Sequence, residues 1–314
     1  MCSDSLVIQS PAKINLALAV GPSDANDSAG RHPICSWMLG VNLYDELTIT
    51  ALPEDRFSRY AVLWHKEAAR RSDIDWSITS DLAVRAHLLL EEYTERRLPV
   101  QLKLEKRIPV GAGLGGGSSN AAAMLRGCND LFKLGLSLEV LCDLSKQLGS
   151  DVAFFLEGMP ALVRGFGERL DRLTHPERAD FVLIFPEFGC NTAKVYQAFD
   201  ALAREGEMTE SDLMERFESG GQAITDWSER GLAGISQPMN DLMWPAFHAE
   251  PELRRLWAEI GELVEIPVHL TGSGSTLFLI CDSEIHAQFT ARAVNERIGG
   301  VSAIAVCVHD SIKS

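Results

Sequence analysis

The sequence has little positive charge for its size. Its 314 residues include 29 Lys and Arg against 44 Asp and Glu, which gives a formal net charge of −15. Nucleic acids and anionic membrane surfaces are bound through basic patches, so this balance argues against both as main partners. A small phosphorylated ligand remains compatible, because it needs only a few local positive groups.

Recognisable cysteine and histidine motifs are also missing. The seven cysteines stand singly, no Cys-x-x-Cys pair occurs, and there is no His-Glu-x-x-His. An odd number of isolated cysteines indicates reduced thiols, so we expect neither disulfides nor structural zinc. The sequence shows no basic region followed by an apolar block at its N-terminus and no uncharged apolar run of membrane-span length. We therefore expect a cytoplasmic protein without a signal peptide or membrane segment.

The segment 109–123, which reads PVGAGLGGGSSNAAA, is the most informative part of the chain. Alternating apolar residues at 100–104 predict a strand before it, and helical spacing from Ala121 to Phe132 predicts a helix after it. A strand, a glycine-rich loop and a helix N-terminus together are typical of a phosphate-binding loop, whose N–H groups surround the anion. The alternative, a flexible linker, does not account for the flanking elements.

Two serines distinguish this loop from better-known phosphate loops. No Gly-Lys-Ser/Thr follows the glycines, which excludes a Walker loop, and Ser118 and Ser119 stand at the helix start, which a Rossmann fingerprint does not have. Their hydroxyl groups can bond phosphate oxygens or bind a magnesium ion.

Two further polar segments stand out. Alternation over residues 6–20 predicts a strand that places Lys13 and Asn15 on one face with small alanines. The segment 270–276, LTGSGST, precedes an apolar strand at 277–281. Each has an ordinary alternative, an exposed lysine on a strand and a tight turn.

The acid in Leu-Gly-Ser-Asp-Val-Ala (148–153) completes a possible phosphotransferase site. Phosphoryl transfer to an alcohol needs a cradle for the triphosphate, positive charge, a metal and a group that takes the hydroxyl proton. The loop, Lys13 and Asp151 can supply the cradle, the charge and the base. Alternatively, Asp151 is a helix cap or turn residue.

Periodicity predicts the remaining elements. Helices are expected at 81–95 with Asp81 near the cap, at 137–148, from Asn191 or Thr192, at 251–264 and at 284–298, and strands at 41–51, 181–185 and 301–308. Residues 53–76 and 204–231 show no clear period. Strands and helices mix without strict alternation, which favours an α+β fold.

The order of three motifs resembles the GHMP kinases. These motifs are Pro-Ala-Lys-Ile-Asn-Leu (11–16), the glycine-serine loop, and Thr-Gly-Ser-Gly-Ser-Thr-Leu-Phe (271–278). Within that superfamily, the triple-glycine loop, the segment 148–156, Arg-Gly-Phe-Gly-Glu (164–168) and Asn-Asp-Leu (240–242) are most similar to the kinases of 4-diphosphocytidyl-2-C-methyl-D-erythritol. The likeness covers nearly the whole chain.

The resemblance implies a two-domain α+β GHMP kinase fold with its active site in the interdomain cleft. It implies an N-terminal ATP-binding domain at 1–165 and a C-terminal domain at 166–314. The implied activity is ATP-dependent phosphorylation of the 2-hydroxyl of 4-diphosphocytidyl-2-C-methyl-D-erythritol, a step of non-mevalonate isoprenoid synthesis. ATP and the small-molecule acceptor would be the partners of a monomer or homodimer.

The resemblance also implies roles for particular residues. Asp151 would be the catalytic base, with Lys13 beside it, and Mg²⁺ would be assisted by Ser119 or Ser118. ATP would be bound by Asp81, Pro109, Val110, Gly111, Ala112, Gly113, Leu114, Gly115, Gly116, Gly117, Ser118 and Ser119. The acceptor would be bound by Asn15, Arg31, His32, Tyr196, Gly272 and Ser273.

The acceptor end departs from the family pattern. The family carries Gly-Tyr-His where this chain reads Gly30-Arg31-His32, although an arginine plane can also stack on a base. Tyr196 matches the second stacking aromatic of the family or is ordinary helix core. The alternatives are therefore a GHMP kinase for another small alcohol and a catalytically inactive nucleotide-binding relative.

Overall fold

The computed structural model describes residues 5–23, 30–174, 178–206, 208–231 and 238–309, which divide between two compact units. Unit 1 comprises Met1–Ala12, Leu43–Val110 and Gly115–Gly158. Unit 2 comprises Lys13–Asn42, Gly111–Leu114 and Met159–Ser314. The division predicted after residue 165 stays a prediction.

The strands and helices mix along the chain, as the α+β expectation requires. The strands are β1 (Ser5–Val20), β2 (Ile34–Ala51), β3 (Arg59–Trp64), β4 (Val100–Lys106), β5 (Ala161–Gly165), β6 (Arg169–Arg172), β7 (Asp180–Pro186), β8 (His269–Leu270), β9 (Leu277–Cys281) and β10 (Val301–Cys307). The α-helices are α1 (Leu82–Thr94), α2 (Gly116–Leu131), α3 (Leu138–Ser145), α4 (Val152–Glu157), α5 (Thr192–Glu205), α6 (Glu210–Arg230), α7 (Met243–Ala249), α8 (Pro251–Leu263) and α9 (Glu284–Arg297). A single 3₁₀ turn, Ile78–Ser80, precedes α1.

In unit 1, β4 organises the sheet. It pairs antiparallel with the second half of β2, from Glu46↔Glu105 to Ala51↔Val100, and parallel with β3. Its apolar side chains at 100, 102 and 104 are buried while Gln101 and Lys103 are exposed, as its alternation predicts. Helix α2 packs against α1 and α4. The strand–loop–helix order predicted around the glycines is confirmed.

In unit 2, an antiparallel sheet has the order β10-β7-β9-β8. Every residue of the central strand β7 is buried, and α9 packs against β7 and β10. The first part of β2 pairs antiparallel with β5, which continues into β6. Asn191 caps α5 by accepting a hydrogen bond from the Lys194 N–H, which confirms the helix start predicted there.

Two segments without a clear period form elements that the sequence reading did not predict. Strand β3 lies within 53–76, where an apolar residue on the outward face, Leu63 (47% exposed), obscures the two-residue period. Helix α6 lies within 204–231. Leu213, Phe217, Gly220, Ile224 and Trp227 recur along it at helical spacing, a stripe that the sequence analysis missed among the charged residues, and only Gly220 and Ile224 are fully buried. A capping box of Thr209 and Asp212 starts the helix. Among the described helices, none is both long and apolar enough to cross a bilayer.

Candidate active site

Parts of the three polar segments, from Lys13 onward, 111–114 and 270–276, meet inside unit 2. The Lys13 N–H donates to the Leu114 carbonyl at 2.9 Å, and the Thr276 N–H donates to the Ala112 carbonyl at 3.3 Å. Gly113 has a φ of +76°, and a Cβ built there would lie 2.8 Å from the Thr271 carbonyl oxygen. Only glycine fits so close an approach. The glycine loop is therefore bonded to both of the other segments and is not a linker.

The Lys13 ammonium is held beside the third segment. It is 5% exposed and donates to Asn15 Oδ1 at 2.6 Å, so it is not the exposed strand lysine of the alternative interpretation. A Cβ built on Gly272 would lie 3.2 Å from Asn15 Oδ1 and 3.7 Å from Lys13 Nζ. Because Gly272 has no side chain, a negatively charged ligand can come close to the buried ammonium.

Hydrogen bonds fix the orientation of the Asn15 amide. The Ser36 hydroxyl donates to the Ala17 carbonyl at 2.8 Å and therefore accepts from Asn15 Nδ2, also at 2.8 Å. Oδ1 is then the atom that faces Lys13, which can only donate. The Asn15 backbone N–H donates to Thr271 Oγ1 at 2.8 Å. Asn15 thus positions Lys13.

In unit 1, the start of α2 carries the predicted serine hydroxyls. Gly115 is the N-cap with a φ of +69°. Ser10 Oγ lies 2.8 Å from Ser119 Oγ and 2.7 Å from Asn120 Oδ1, and Ser119 is 2% exposed, whereas Ser118 is only half-buried. Both hydroxyls lie in the first turn of a helix, where an anion is favoured. Their roles toward phosphate and metal stay predictions.

Asp45 anchors the entry to the loop and was missed by sequence reasoning. Its side chain is fully buried and accepts from Lys106 Nζ at 2.6 Å, from the backbone N–H groups of Arg107 and Ile108 at 2.7 and 2.8 Å, and from Asn120 Nδ2 at 2.8 Å. Three of the donors belong to residues 106–108, directly before Pro109 at the start of the loop. The fourth belongs to Asn120, near the start of α2. A lone acid in a strand gave no signal, because its partners lie far away in sequence.

Asp151 stands at the N-cap of α4 but does not accept a capping hydrogen bond from that helix. Of its two ordinary interpretations, the capping side chain is therefore not found, whereas the turn residue is, because Asp151 lies in the turn directly before α4. A Cβ built on Gly149 would lie 3.9 Å from Ser118 Oγ, so the turn that carries Asp151 lies beside the start of α2. The predicted partnership of Lys13 and Asp151 joins residues of two units and stays a prediction.

The acceptor residues predicted near position 32 are brought together in unit 2. His32 is 8% exposed, with Nδ1 2.9 Å from the Gly21 carbonyl oxygen and Nε2 3.6 Å from Asp200 Oδ1. Its ring centroid lies 5.1 Å from that of Tyr196. The Arg31 guanidinium lies 4.7 Å over the Phe166 ring, in the Arg-Gly-Phe-Gly-Glu motif. The replacement of the family tyrosine is thus held by an aromatic face.

The 270–276 segment is held by a second residue whose role the sequence did not reveal. Asn240 Nδ2 donates to the carbonyls of Leu270 and Gly272, both at 2.8 Å. Ser273 Oγ lies 2.9 Å from Thr192 Oγ1, near the start of α5. In the sequence, Asn240 was marked by its place in the Asn-Asp-Leu motif (240–242), which did not show what it binds. These contacts fix the turn around Gly272 and Ser273.

Asp81 lies at the start of α1. Its Oδ1 accepts from the Ala83 N–H at 2.9 Å, which confirms the predicted cap, and its Oδ2 lies 3.4 Å from Trp76 Nε1. Its predicted contact with ATP stays a prediction.

The site fits neither catalysis by a thiol nor a metal ion held by protein side chains alone. Cys190 lies beside Gly274, and burial raises the pKa of its thiol to about 11, so it stays protonated. Within the described residues, no group of three or more His, Cys, Asp or Glu is placed to hold a metal ion. A metal here would be held largely by its ligand's own oxygens, as Mg²⁺ commonly is.

Comparisons with known proteins agree with this arrangement. Two family models match the chain: GHMP kinases N terminal domain over residues 81–159, and GHMP kinases C terminal over 228–299. The chain is 33% identical to the 4-diphosphocytidyl-2-C-methyl-D-erythritol kinase of Exiguobacterium sibiricum, over 90% of this chain and 92% of that protein. It is 32% identical to the kinase of the same name from Pseudarthrobacter chlorophenolicus, over 95% and 91%.

Solved structures give the same result. A crystal structure of 4-(cytidine 5'-diphospho)-2C-methyl-D-erythritol kinase superposes with a TM-score of 0.71 and 29% identity, covering 97% of this chain and 100% of that one. The L. major mevalonate kinase in complex with R-mevalonate also gives a TM-score of 0.71, over 98% of each chain, but at 13% identity. That second likeness concerns the fold alone.

Proposed function

The chain belongs to the 4-diphosphocytidyl-2-C-methyl-D-erythritol kinase family of the GHMP kinases, and from that premise we propose that it phosphorylates this compound at its 2-hydroxyl with ATP. The observation that carries the proposal is the buried Lys13 ammonium, at the place where the three family motifs meet. An inactive binding relative would not need to keep a buried, oriented ammonium at that place.

The proposed chemistry is an in-line displacement at the γ-phosphorus. The acceptor 2-hydroxyl oxygen forms a bond to that phosphorus, the bond from the phosphorus to the β–γ bridging oxygen breaks, and ADP leaves. Asp151, in the turn beside the start of α2, takes the hydroxyl proton. Lys13, positioned by Asn15, offsets the negative charge that spreads over the transferring group.

The glycine-serine loop would hold the triphosphate through its backbone N–H groups and the start of α2. Residues 111–114 are bonded to the Lys13 and Thr276 backbones, and residues 115–119 begin a helix. Mg²⁺ supplies charge neutralisation for the phosphates when it is bound, and the Ser118 or Ser119 hydroxyl is the protein group that would assist it. The hydroxyl oxygens suit a hard cation that keeps most of its ligands from phosphate and water.

The acceptor end is the part of the proposal with a competing candidate. The His32 and Tyr196 rings lie together, as a site for a planar base requires, but Arg31 replaces the family tyrosine and lies over Phe166. A different alcohol acceptor is therefore the second candidate. The six cysteines that the structure describes are free thiols, which supports a reducing compartment such as the cytoplasm as the place of action.

The test is identification of the product. The chain is incubated with ATP, Mg²⁺ and the cytidylated acceptor, and mass spectrometry and phosphorus NMR are used to locate a new monophosphate on the 2-oxygen. Parallel reactions contain mevalonate, homoserine or galactose. Turnover of one of these without turnover of the cytidylated compound would select the second candidate.

The matched variant is Asp151→Asn, which keeps the size of the side chain. It should lower kcat by about 10²- to 10⁴-fold, because it removes the general base, while the dissociation constant for ATP stays within about twofold. A variant that keeps the full rate would remove Asp151 from the mechanism.

A further inference from the structure

A cavity of about 370 Å³ in unit 2 has no part in the proposed mechanism. Helix α6 forms one wall, and the start of β2 together with β5 and β6 forms the other. Among the described residues that line the cavity, none belongs to the three family motifs. Its volume lies within the usual range for ligand pockets, about 300–1,000 Å³. The cavity is therefore large enough for a small organic molecule.

Two arginines line this cavity as cross-strand neighbours. In the antiparallel pair of β5 and β6, Arg164 stands directly opposite Arg169, so both side chains project from the same face of the sheet. The Arg164 guanidinium donates to the Asp171 carboxylate and to Thr225 Oγ1, the latter at 3.1 Å. Arg169 is exposed, and within the described part of the chain no carboxylate pairs with it.

This pair of cations lacks one counter-charge. Like charges directly opposite each other on adjacent strands are destabilising, and Asp171 offsets only the charge of Arg164. An anion between the two guanidinium groups would remove the repulsion. The planar fork of arginine donors matches the oxygens of a carboxylate or a phosphate, so either group suits this position.

The cavity also has an apolar surface. Pro33 and Ile34 contribute to it from the start of β2, and Phe217 contributes from the first half of α6. The Phe217 ring packs beside Gly21, where a built Cβ would lie 3.2 Å from two of the ring atoms. An aromatic ring fixed in this way suits an apolar or flat group of a ligand.

We propose that this cavity binds a small organic anion, with one carboxylate or phosphate group between Arg164 and Arg169 and an apolar body against Phe217. Glu218 is an exposed acid that also lines the cavity, and its charge disfavours a second anionic group on the ligand. The inference does not depend on the proposed function, because it uses neither ATP nor the acceptor.

The experiment tests the two parts of the ligand separately. Calorimetry measures the binding of phenyl phosphate and of benzoate, which carry an anionic group on an apolar ring. Inorganic phosphate and phenol are the comparison, because each keeps only one of the two parts. ADP and Mg²⁺ are present at saturating concentration to occupy the glycine-serine loop. Phenyl phosphate or benzoate should bind at least about tenfold more tightly than either comparison compound, and the preferred one identifies the anionic group.

Matched variants locate the binding. Arg169→Gln should weaken it at least about fivefold, whereas Arg172→Gln, on an exposed arginine of the same strand outside the lining, should leave it within about twofold. Phe217→Ala should weaken it at least about threefold, and Phe289→Ala, on an exposed phenylalanine of α9, should not. Glu218→Gln should strengthen it, because a like charge is removed. Urea unfolding of each variant shows whether it is folded in the titration.

Four results would overturn the proposal. The first is binding of phenyl phosphate and benzoate that is no tighter than that of inorganic phosphate or phenol. The second is unchanged binding in a folded Arg169→Gln variant, and the third is an equal loss in Arg172→Gln. The fourth is displacement of the bound anion by CMP, which would assign the cavity to the acceptor end. Because no phosphoryl transfer is measured, failure of the proposed function leaves this test intact.

Discussion

Replacement of Asp45 by asparagine is the most demanding test of how the loop is built. The carboxylate is fully buried and accepts four hydrogen bonds, one of them from the Lys106 ammonium, which is itself 5% exposed. Asparagine keeps one acceptor oxygen but turns an NH₂ group toward donors. The buried ammonium of Lys106 then has no counter-charge.

The expected loss follows from that uncompensated charge. Breaking a buried ion pair by removing one partner costs about 3–5 kcal/mol, which is large against a typical unfolding free energy of about 5–15 kcal/mol. We therefore expect Asp45→Asn to lower the unfolding free energy by about 3–5 kcal/mol. The remaining folded protein should bind ADP more weakly, because the Ile108 N–H and the Asn120 amide on either side of the loop share this acceptor.

The assay is urea unfolding followed by tryptophan fluorescence, with ADP binding by calorimetry. The double variant Asp45→Asn/Lys106→Met is the control. It removes both charges, so it should recover more than half of the loss in unfolding free energy. A single variant within about 1 kcal/mol of the wild type would refute this account of the ion pair, as would a double variant no more stable than the single one.

Three further predictions concern the loop, the acceptor end and pH. Gly113→Val should raise the dissociation constant for ATP at least about tenfold, because φ is +76° and a Cβ would approach two carbonyl oxygens at 2.8 and 2.9 Å; calorimetry showing wild-type affinity would contradict this. His32→Ala should raise the KM for the acceptor and leave the KM for ATP unchanged, since the ring packs on Tyr196; steady-state kinetics with an unchanged acceptor KM would count against it. Burial lowers the pKa of His269 to about 4 in the folded state, whereas the unfolded chain binds that proton below about 6.5. The unfolding free energy should therefore fall as pH drops from about 6.5 to 4, by up to about 3 kcal/mol for this group, and urea titrations of His269→Phe should lack that part of the pH dependence.

Local signals predicted the parts of the fold that local physics controls. The alternation of β4 follows from the two-residue period of a strand, and the caps at Ser137 and Asn191 follow from side chains that bond the next turn. The glycine-rich loop was recognised in the sequence because several glycines directly before a helix are typical of an anion-binding loop. Helix α6 was missed, because the apolar residues that recur along it at helical spacing are few among many charged ones and only two of its residues are fully buried.

The sequence by itself determined the α+β class, most elements and the three motifs that identify the family. Only the tertiary structure decided which side chains serve these motifs. Asn15 meets Thr271 across 256 residues, and Asp45 meets Asn120 across 75. Such pairings are fixed by how strands and helices pack, and the residues next to each partner in the sequence do not indicate them. Local periodicity therefore specifies each element, whereas the positions of Asp45 and Asn240 follow from the packing of elements that are distant in the chain.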